Sequence, residues 1–399
     1  MPDRVGAALP RTMEGAAPVL VMNRLALEQS PRMNLTSSVA LPQRPAIVGH
    51  PHHTGPISVE LAPAEGSSYA FEDSPPREIH SRTALSPVER RLRLVNMGAV
   101  VVPFAGLALA MILAWGAAFN WTQFAIFISM SYATAIGITV GYHRLFTHKS
   151  FTTGPVTRYA LAALGSMAIE GAVFEWAATH RKHHQHSDDH DDPHSPHMHS
   201  EGSWGHGLWA TLRGGFHAHV GWLLGERRRG MGRYVKDLRS DPVLCAVNRQ
   251  FYLWAIAGLV IPAILGGVLT LSWKGALLGF LWGGLVRILF VHHITWSVNS
   301  VCHLWGTRPF RSGDHSRNNP IVALFALGEG WHNNHHAFPA SARHGLRWWE
   351  FDISYIVIKG LALFGLARGI RVPPRERIHG KHVTAPIVIP KESKAGEAA

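Results

Sequence analysis

Four stretches of the chain lack a polar face over about 20 residues, the length that crosses a bilayer. They are roughly Met97–Phe119, Thr122–Tyr142, Phe251–Leu271 and Ala276–Ser297. A soluble helix of that length keeps a polar stripe, and these keep almost none. Short turns, Ala117–Trp121 and Ser272–Gly275, join them in pairs. The pattern predicts an all-α integral membrane protein, with four transmembrane helices in two hairpins capped by a helical domain on one side. Pro155–His186 has an apolar face too interrupted for a span and is expected to be one long helix. Amphipathic helices are expected around Trp348–Leu366, and basic Ser86–Asn96 reads as an interfacial lead-in to the first span. Residues 1–85 and 381–399 show no sustained periodicity and are expected to be disordered tails flanking a single domain, 86–380.

Charge sets the orientation. Lys and Arg outnumber Asp and Glu by 38 to 26, a formal +12. The first turn has no Lys or Arg and the second only Lys274, so the basic residues gather in the N-terminal segment, in 143–250 and in 298–399. The positive-inside rule places those three segments in the cytosol, with both termini. It also accounts for the basic surplus without a nucleic-acid partner. The two cysteines, Cys245 and Cys302, fall in segments assigned to the cytosol, where a structural disulfide is not expected. Ala16–Met22 is too short for the apolar core of a signal peptide, which leaves the first span as the targeting signal.

The same segments carry the candidate chemistry. Gly328-Glu-Gly-Trp-His-Asn-Asn-His-His336 puts His332, His335 and His336 on neighbouring positions of a helix. His180-Arg-Lys-His-His184 repeats the spacing, His143-Arg-Leu-Phe-Thr-His148 follows the second span, and His303 follows the fourth, with Asn299 four residues before it. Nine clustered histidines exceed the four ligands of a closed zinc site and suit two nitrogen-ligated metal ions. Carboxylates are almost absent from the clusters, Glu329 excepted. The His- and Asp-rich loop His186–Ser203 lacks the pattern of a calcium loop and is expected to supply partners to the metal ligands. His292 and His293 are read as packed residues or partners of the metal ligands, His50, His52 and His53 as solvated tail residues, and Arg287 as facing the protein interior or a cavity. Gly137-x-x-x-Gly141 is read as internal helix packing.

These motifs, from about residue 95 to 372, resemble the histidine boxes of the integral-membrane acyl-CoA Δ9 desaturases, the stearoyl-CoA desaturase family of the bacterial type (fatty acid desaturase type 1). Asp192-Pro-His-Ser195, His219-Val-Gly-Trp222 and Phe338-Pro339 also match, and H-R-L-F-T-H-K-S-F resembles the acyl-CoA branch. The resemblance implies two iron ions held by His143, His148, His180, His183, His184, His303, His332, His335 and His336, with Asn299 acting through water. It implies O2 as co-substrate and a cis double bond placed in a long-chain saturated acyl-CoA. Thr295 and Trp296 would shape the bend of a substrate tunnel with Glu170, which stands where the family commonly has glutamine. In the Δ9 reading, the methyl half of the chain would extend along span 2 to Ser131, with Phe127 as the floor. The chain has no flavin, dinucleotide or fused cytochrome motif, so electrons would come from a separate donor, a ferredoxin or a b-type cytochrome with its reductase, docked on the basic face. The setting implied is a bacterial plasma membrane. Two other readings remain open on the residues alone, a membrane di-iron hydroxylase of alkanes or fatty acids and a histidine-rich metal transporter.

Overall fold

The computed structural model describes residues 87–114, 120–225 and 231–384. The expected tail 1–85, residues 115–119 of the first expected turn, and residues 385–399 lie outside them. The first apolar run forms much of α1, Pro87–Ala114, and continues in sequence into residues 115–119, outside the described ones. Next comes α2, Trp121–Thr147, opened by Asn120, whose side chain accepts from the Thr122 amide at 2.9 Å. It is long and apolar enough to cross a membrane, as are α7, Phe251–Thr270, and α8, Trp273–Leu304, described below. Three of the four expected spans therefore meet both requirements, and the first, expected over Met97–Phe119, is described only to Ala114. The start of α1 is polar, with Arg90, Arg91, Arg93 and Asn96 within three turns.

The expected long helix over Pro155–His186 is two helices, α3 (Pro155–Met167) and α4 (Val173–His186). The break has a local cause. Ile169 (φ 62°) and Gly171 (φ 105°) adopt left-handed backbone, which ends a right-handed helix. The carbonyls left free are met by α8: Arg287 Nη1 donates to Met167 O at 2.7 Å and His292 Nε2 to Ala168 O at 2.8 Å. Arg287 is buried and also donates to Gly258 O (2.6 Å) and Gly283 O (3.1 Å), so it faces the interior as expected. A buried cation is tolerable when its donors are filled this way. Residue 258 must be small here, because a Cβ would lie 2.8 Å from Met167 O.

The helices α5 (Leu208–His219) and α6 (Pro242–Arg249) follow, α5 against α8 and α6 against α3 and α4. α7 and α8 form a hairpin through Leu271 (φ 50°) and Ser272, whose hydroxyl accepts from the Gly275 amide. After α8 come α9 (Pro320–Phe325), α10 (His332–Ala337), α11 (Ile353–Leu363) and α12 (Arg375–Lys381). Two short strand pairs are the described β-structure, Thr152–Thr153 with Ala367–Arg368 and Met198–His199 with Gly202–Ser203. Gly137 serves internal packing: a Cβ there would lie 2.2 Å from Gly165 N, so α2 and α3 touch backbone to backbone. That contact centres the largest core, built from Tyr142, Phe146, Phe151, Leu161 and Ala162 with Ala177 of α4 and Ile358 of α11. The core lies directly behind the histidines.

Candidate metal centre

Spacing alone does not bring His143 and His148 together, because five residues on an α-helix turn through about 140° beyond a full circle. From Gly137 to Thr147, α2 is wound as a π-helix, with the His148 amide donating to His143 O. The wider turn carries both rings to one side, 4.9 Å apart. Such segments recur at functional sites.

The nine histidines fall into two groups. His143, His148, His180, His184 and His335 form one, and His183, His303, His332 and His336 the other, with the ligand nitrogens of each group within 4.8 Å of one another. The H-x-x-H-H spacing explains the division. On α4 the i and i+4 residues, His180 and His184, share a face, and His183 turns to the other group. On α10 the pair His332 and His336 stays together, and His335 crosses over. Two short helices thus face each other and supply both groups at once.

The rings meet through Nε2. The Nε2–Nε2 distances are 3.1 Å for His143–His335, 3.0 Å for His148–His180, 3.0 Å for His180–His184 and 2.9 Å for His184–His335. In the second group they are 3.3 Å for His183–His336 and 3.1 Å for His303–His332. Several of these rings already commit their Nδ1 proton to a carboxylate. His143 donates to Glu329 (2.6 Å), His183 to Asp192 (3.0 Å), His303 to Asp188 (2.9 Å) and His336 to Asp314 (2.5 Å). A neutral imidazole has one N–H, so in His183–His336, where both rings are committed this way, the two Nε2 atoms present lone pairs to each other. Lone pair against lone pair repels unless a cation lies between. A carboxylate behind a histidine whose other nitrogen points inward is the arrangement that orients a metal ligand.

Protonation agrees. Burial, reinforced by the neighbouring rings, holds His148, His180, His184, His332, His335 and His336 well below the ordinary histidine range. They are neutral at neutral pH and offer lone pairs. Burial pushes the Glu329, Asp188 and Asp192 carboxyls up, but their partners outweigh it and hold all three below the usual carboxylate range. Arg144 leads for Glu329, His303 for Asp188 and His183 for Asp192. The donor set therefore fits transition-metal ions that take nitrogen.

An apolar cavity reaches the histidines. It is walled by Ser131, Tyr132, Ala135 and Ile138 of α2 and by Phe290, Val291, Ile294, Thr295 and Val298 of α8, and His143, His180 and His332 also line it. Asn299 also lines it. Glu170 reaches its wall indirectly, hydrogen-bonded to Thr295 and, at 3.1 Å, accepting from Trp176 Nε1. Two residues named from sequence stand apart from the lining. Phe127 lies behind Phe290 (5.4 Å between rings), and Trp296 packs on His292 (4.9 Å) and His293 (5.3 Å).

The loop 186–203 supplies Asp188 and Asp192, as its composition indicated. Other participants gave no usable sequence signal. Asp314 lies in an irregular loop, and Arg144 joins Glu329 to Asp352 from within the first box. His344 is buried beside Glu329 (3.5 Å) and His335 (4.4 Å between rings), yet it is a lone histidine with no partner at helical spacing.

Residues 119–355 match the family described as fatty acid desaturase. The chain is 42% identical over 283 residues to the hex-5-enoyl-[acyl-carrier protein] acetylenase of Moorena producens, covering 70% of this chain and 87% of that one. It is 36% identical over 303 residues to an sn-1 stearoyl-lipid 9-desaturase of Synechocystis, covering 75% and 88%. With the icosanoyl-CoA 5-desaturase of Limnanthes douglasii it shares 38% over 262 residues, covering 64% and 67%. The two histidine groups, the cavity that reaches them and the extent of these matches lead to one conclusion: the chain belongs to the fatty acid desaturase family.

Proposed function

We propose that the protein introduces a cis double bond at the Δ9 position of a long-chain saturated acyl-CoA, using O2 and two iron ions held by the nine histidines, with Asn299 acting through water. One observation carries this reading: the apolar cavity is lined by His143 and His180 of one group and by His332 of the other. A methylene chain lying there meets both groups together. When bound, the iron pair supplies the activation of O2 that removes hydrogen from two adjacent methylenes. The chain's own residues do the rest. The walls of α2 and α8 exclude water and hold the acyl chain extended, so that one pair of carbons faces the histidines. Glu329, fixed by Arg144, orients His143. Asp188, Asp192 and Asp314 orient His303, His183 and His336. Glu170, Thr295 and Trp176 shape the wall beside them, and Trp296 backs it.

The setting we propose is a bacterial plasma membrane, with α1 as a fourth span, both termini in the cytosol, and a ferredoxin or a b-type cytochrome and its reductase delivering electrons at the basic face. A second reading concerns the carrier of the acyl chain. The relatives' names include lipid-bound and carrier-protein-bound chains, whereas the first box resembles the acyl-CoA branch.

The test is expression in a desaturase-deficient host, with products identified by mass spectrometry. A Δ9 olefin supports the proposal, and an alcohol at the same position supports a hydroxylase instead. Membranes given labelled stearoyl-CoA, stearoyl-lipid and stearoyl-carrier protein in parallel then identify the carrier from the one that is desaturated first.

A further inference from the structure

The two histidine groups differ in what stands behind them. In the group of four, three rings have a carboxylate on Nδ1: His183 has Asp192, His303 has Asp188 and His336 has Asp314. Each carboxylate is fixed by uncharged donors. Asp192 accepts from the Asp188 and His194 amides (2.8 and 3.0 Å). Asp188 accepts from the His315 amide (2.8 Å) and the Ser195 hydroxyl (3.1 Å). Asp314 accepts from the hydroxyls of Ser312 (2.6 Å) and Ser316 (2.5 Å). Among the described residues none of the three pairs with a lysine or arginine, and Arg308 reaches only the backbone carbonyl of Asp314.

The group of five has one such carboxylate. Glu329 stands behind His143, and its charge is shared with the buried guanidinium of Arg144. No carboxylate lies within ion-pair reach of His148, His180, His184 or His335 among the described residues.

We infer that the two metal ions are held unequally: the four-histidine group takes its ion first and gives it up last. This rests on the reading that each group holds one ion. A carboxylate on Nδ1–H shifts electron density toward Nε2 and strengthens it as a donor, and three negative charges with no lysine or arginine paired to them favour a dication, although Asp192 also has His194 at 3.8 Å. The five-histidine group has one more neutral ligand, which works the other way. The magnitudes decide between them. Loss of one such outer partner costs roughly 10–100-fold in metal affinity, and the groups differ by two partners. The expected separation is therefore at least tenfold, in favour of the group with fewer ligands.

The experiment uses the full chain in lipid nanodiscs, stripped of metal and titrated anaerobically with Fe2+ in a calorimeter. Two steps at least tenfold apart in affinity are expected. His332→Ala should remove the tight step and His335→Ala the weak one. Asp192→Asn and Asp314→Asn should each weaken the tight step about 10–100-fold and leave the weak step in place. Half-loading the unaltered protein with 57Fe gives a readout that needs no variant, since unequal sites yield one Mössbauer doublet and equal sites two. Two ions bound in a single step, two doublets at half-loading, or a tight step that disappears in His335→Ala would overturn the inference alone. Uptake of fewer than two ions would overturn the two-metal reading, and this inference with it.

Discussion

The Arg144 guanidinium holds the Asp352 carboxylate at 3.1 Å on one side and Glu329 on the other, entirely out of solvent. Asp352 in turn accepts from the amides of Tyr355 (2.9 Å) and His344 (2.7 Å), so one side chain of α2 ties together α11, the approach to α10 and the ligand His143. Removing one partner of a buried pair leaves uncompensated charge and costs about 3–5 kcal/mol. Arg144→Leu strands two carboxylates and should lower the melting temperature in detergent sharply, or abolish folded yield. Arg144→Lys, a point charge without the planar fork, should fall between the two. An Arg144→Leu protein that melts like the parent would show that the bridge is not structural.

The proposed centre makes a claim about additivity. His183 and His336 face each other at 3.3 Å, and His143 and His335 at 3.1 Å. Residues that act as one unit do not lose activity independently. Each of His183→Ala, His332→Ala and His335→Ala should abolish olefin formation in the host while the protein still inserts into membranes. The double variant of His332 and His335 should be no worse than either single one. Near-normal product from any single variant would be incompatible with a shared centre.

Glu170 should give the protein a pH signature. Burial raises its carboxyl to about 7, against the lowering by its hydrogen bonds to Thr295 and Trp176. Below the ordinary glutamate value, Glu170 is protonated in both the folded and unfolded states and contributes nothing. As pH rises from there toward 7, the unfolded chain releases the proton first, so the folded state loses stability through that window and levels off above it. The full loss is on the order of 3 kcal/mol. In Glu170→Gln this part of the slope should vanish, leaving the variant the more stable of the two at pH 8. Parallel melting curves for the two proteins between pH 5 and 8 would refute the assignment.

What sequence made legible follows from range. The histidine spacings are local, and α4 and α10 present their rings as helix geometry dictates. Asp188 and Asp192 were also within reach, since they lie in a His/Asp-rich loop next to α4. By contrast, the π-winding of Gly137–Thr147 leaves no mark in residue type, and without it His143 and His148 would diverge. Asp314, Asp352 and His344 come from irregular segments, and their partners are fixed only by the tertiary fold. The break at Ile169 was hidden for a related reason. Its cause is the left-handed backbone at Ile169 and Gly171, and the carbonyls the helix abandons are filled by Arg287 and His292, more than 100 residues away. Apolarity located α2, α7 and α8, while the first expected span runs into residues outside the described ones.

The last prediction concerns chain length. Ser131 lies in the wall of the cavity and is buried, its hydroxyl turned back onto Phe127 O at 2.7 Å. From Ser131 to His143 the helix rises at most roughly 18 Å at about 1.5 Å per residue, and less over the π-wound part from Gly137. Nine extended carbons and the approach to a metal need roughly 16 Å, so the methyl end of an 18-carbon chain should stop near Ser131, about a helical turn above Phe127. Phe127 meets the cavity through Phe290, with the rings 5.4 Å apart and T-shaped, and rests on Trp282 at 6.4 Å. The two positions should therefore respond differently. Ser131→Trp puts a large ring directly into the cavity and should shift products to 16 carbons or fewer. Phe127→Ala removes the support behind Phe290, so the cavity lengthens only if that ring relaxes, and a smaller shift toward longer chains is expected. The measurement is the product distribution from a host fed equal amounts of saturated acids from 14 to 22 carbons. If Ser131→Trp leaves the distribution unchanged, α2 does not set the length. If Phe127→Ala alone changes nothing, Phe290 is the floor, and Phe290→Ala should then produce the lengthening.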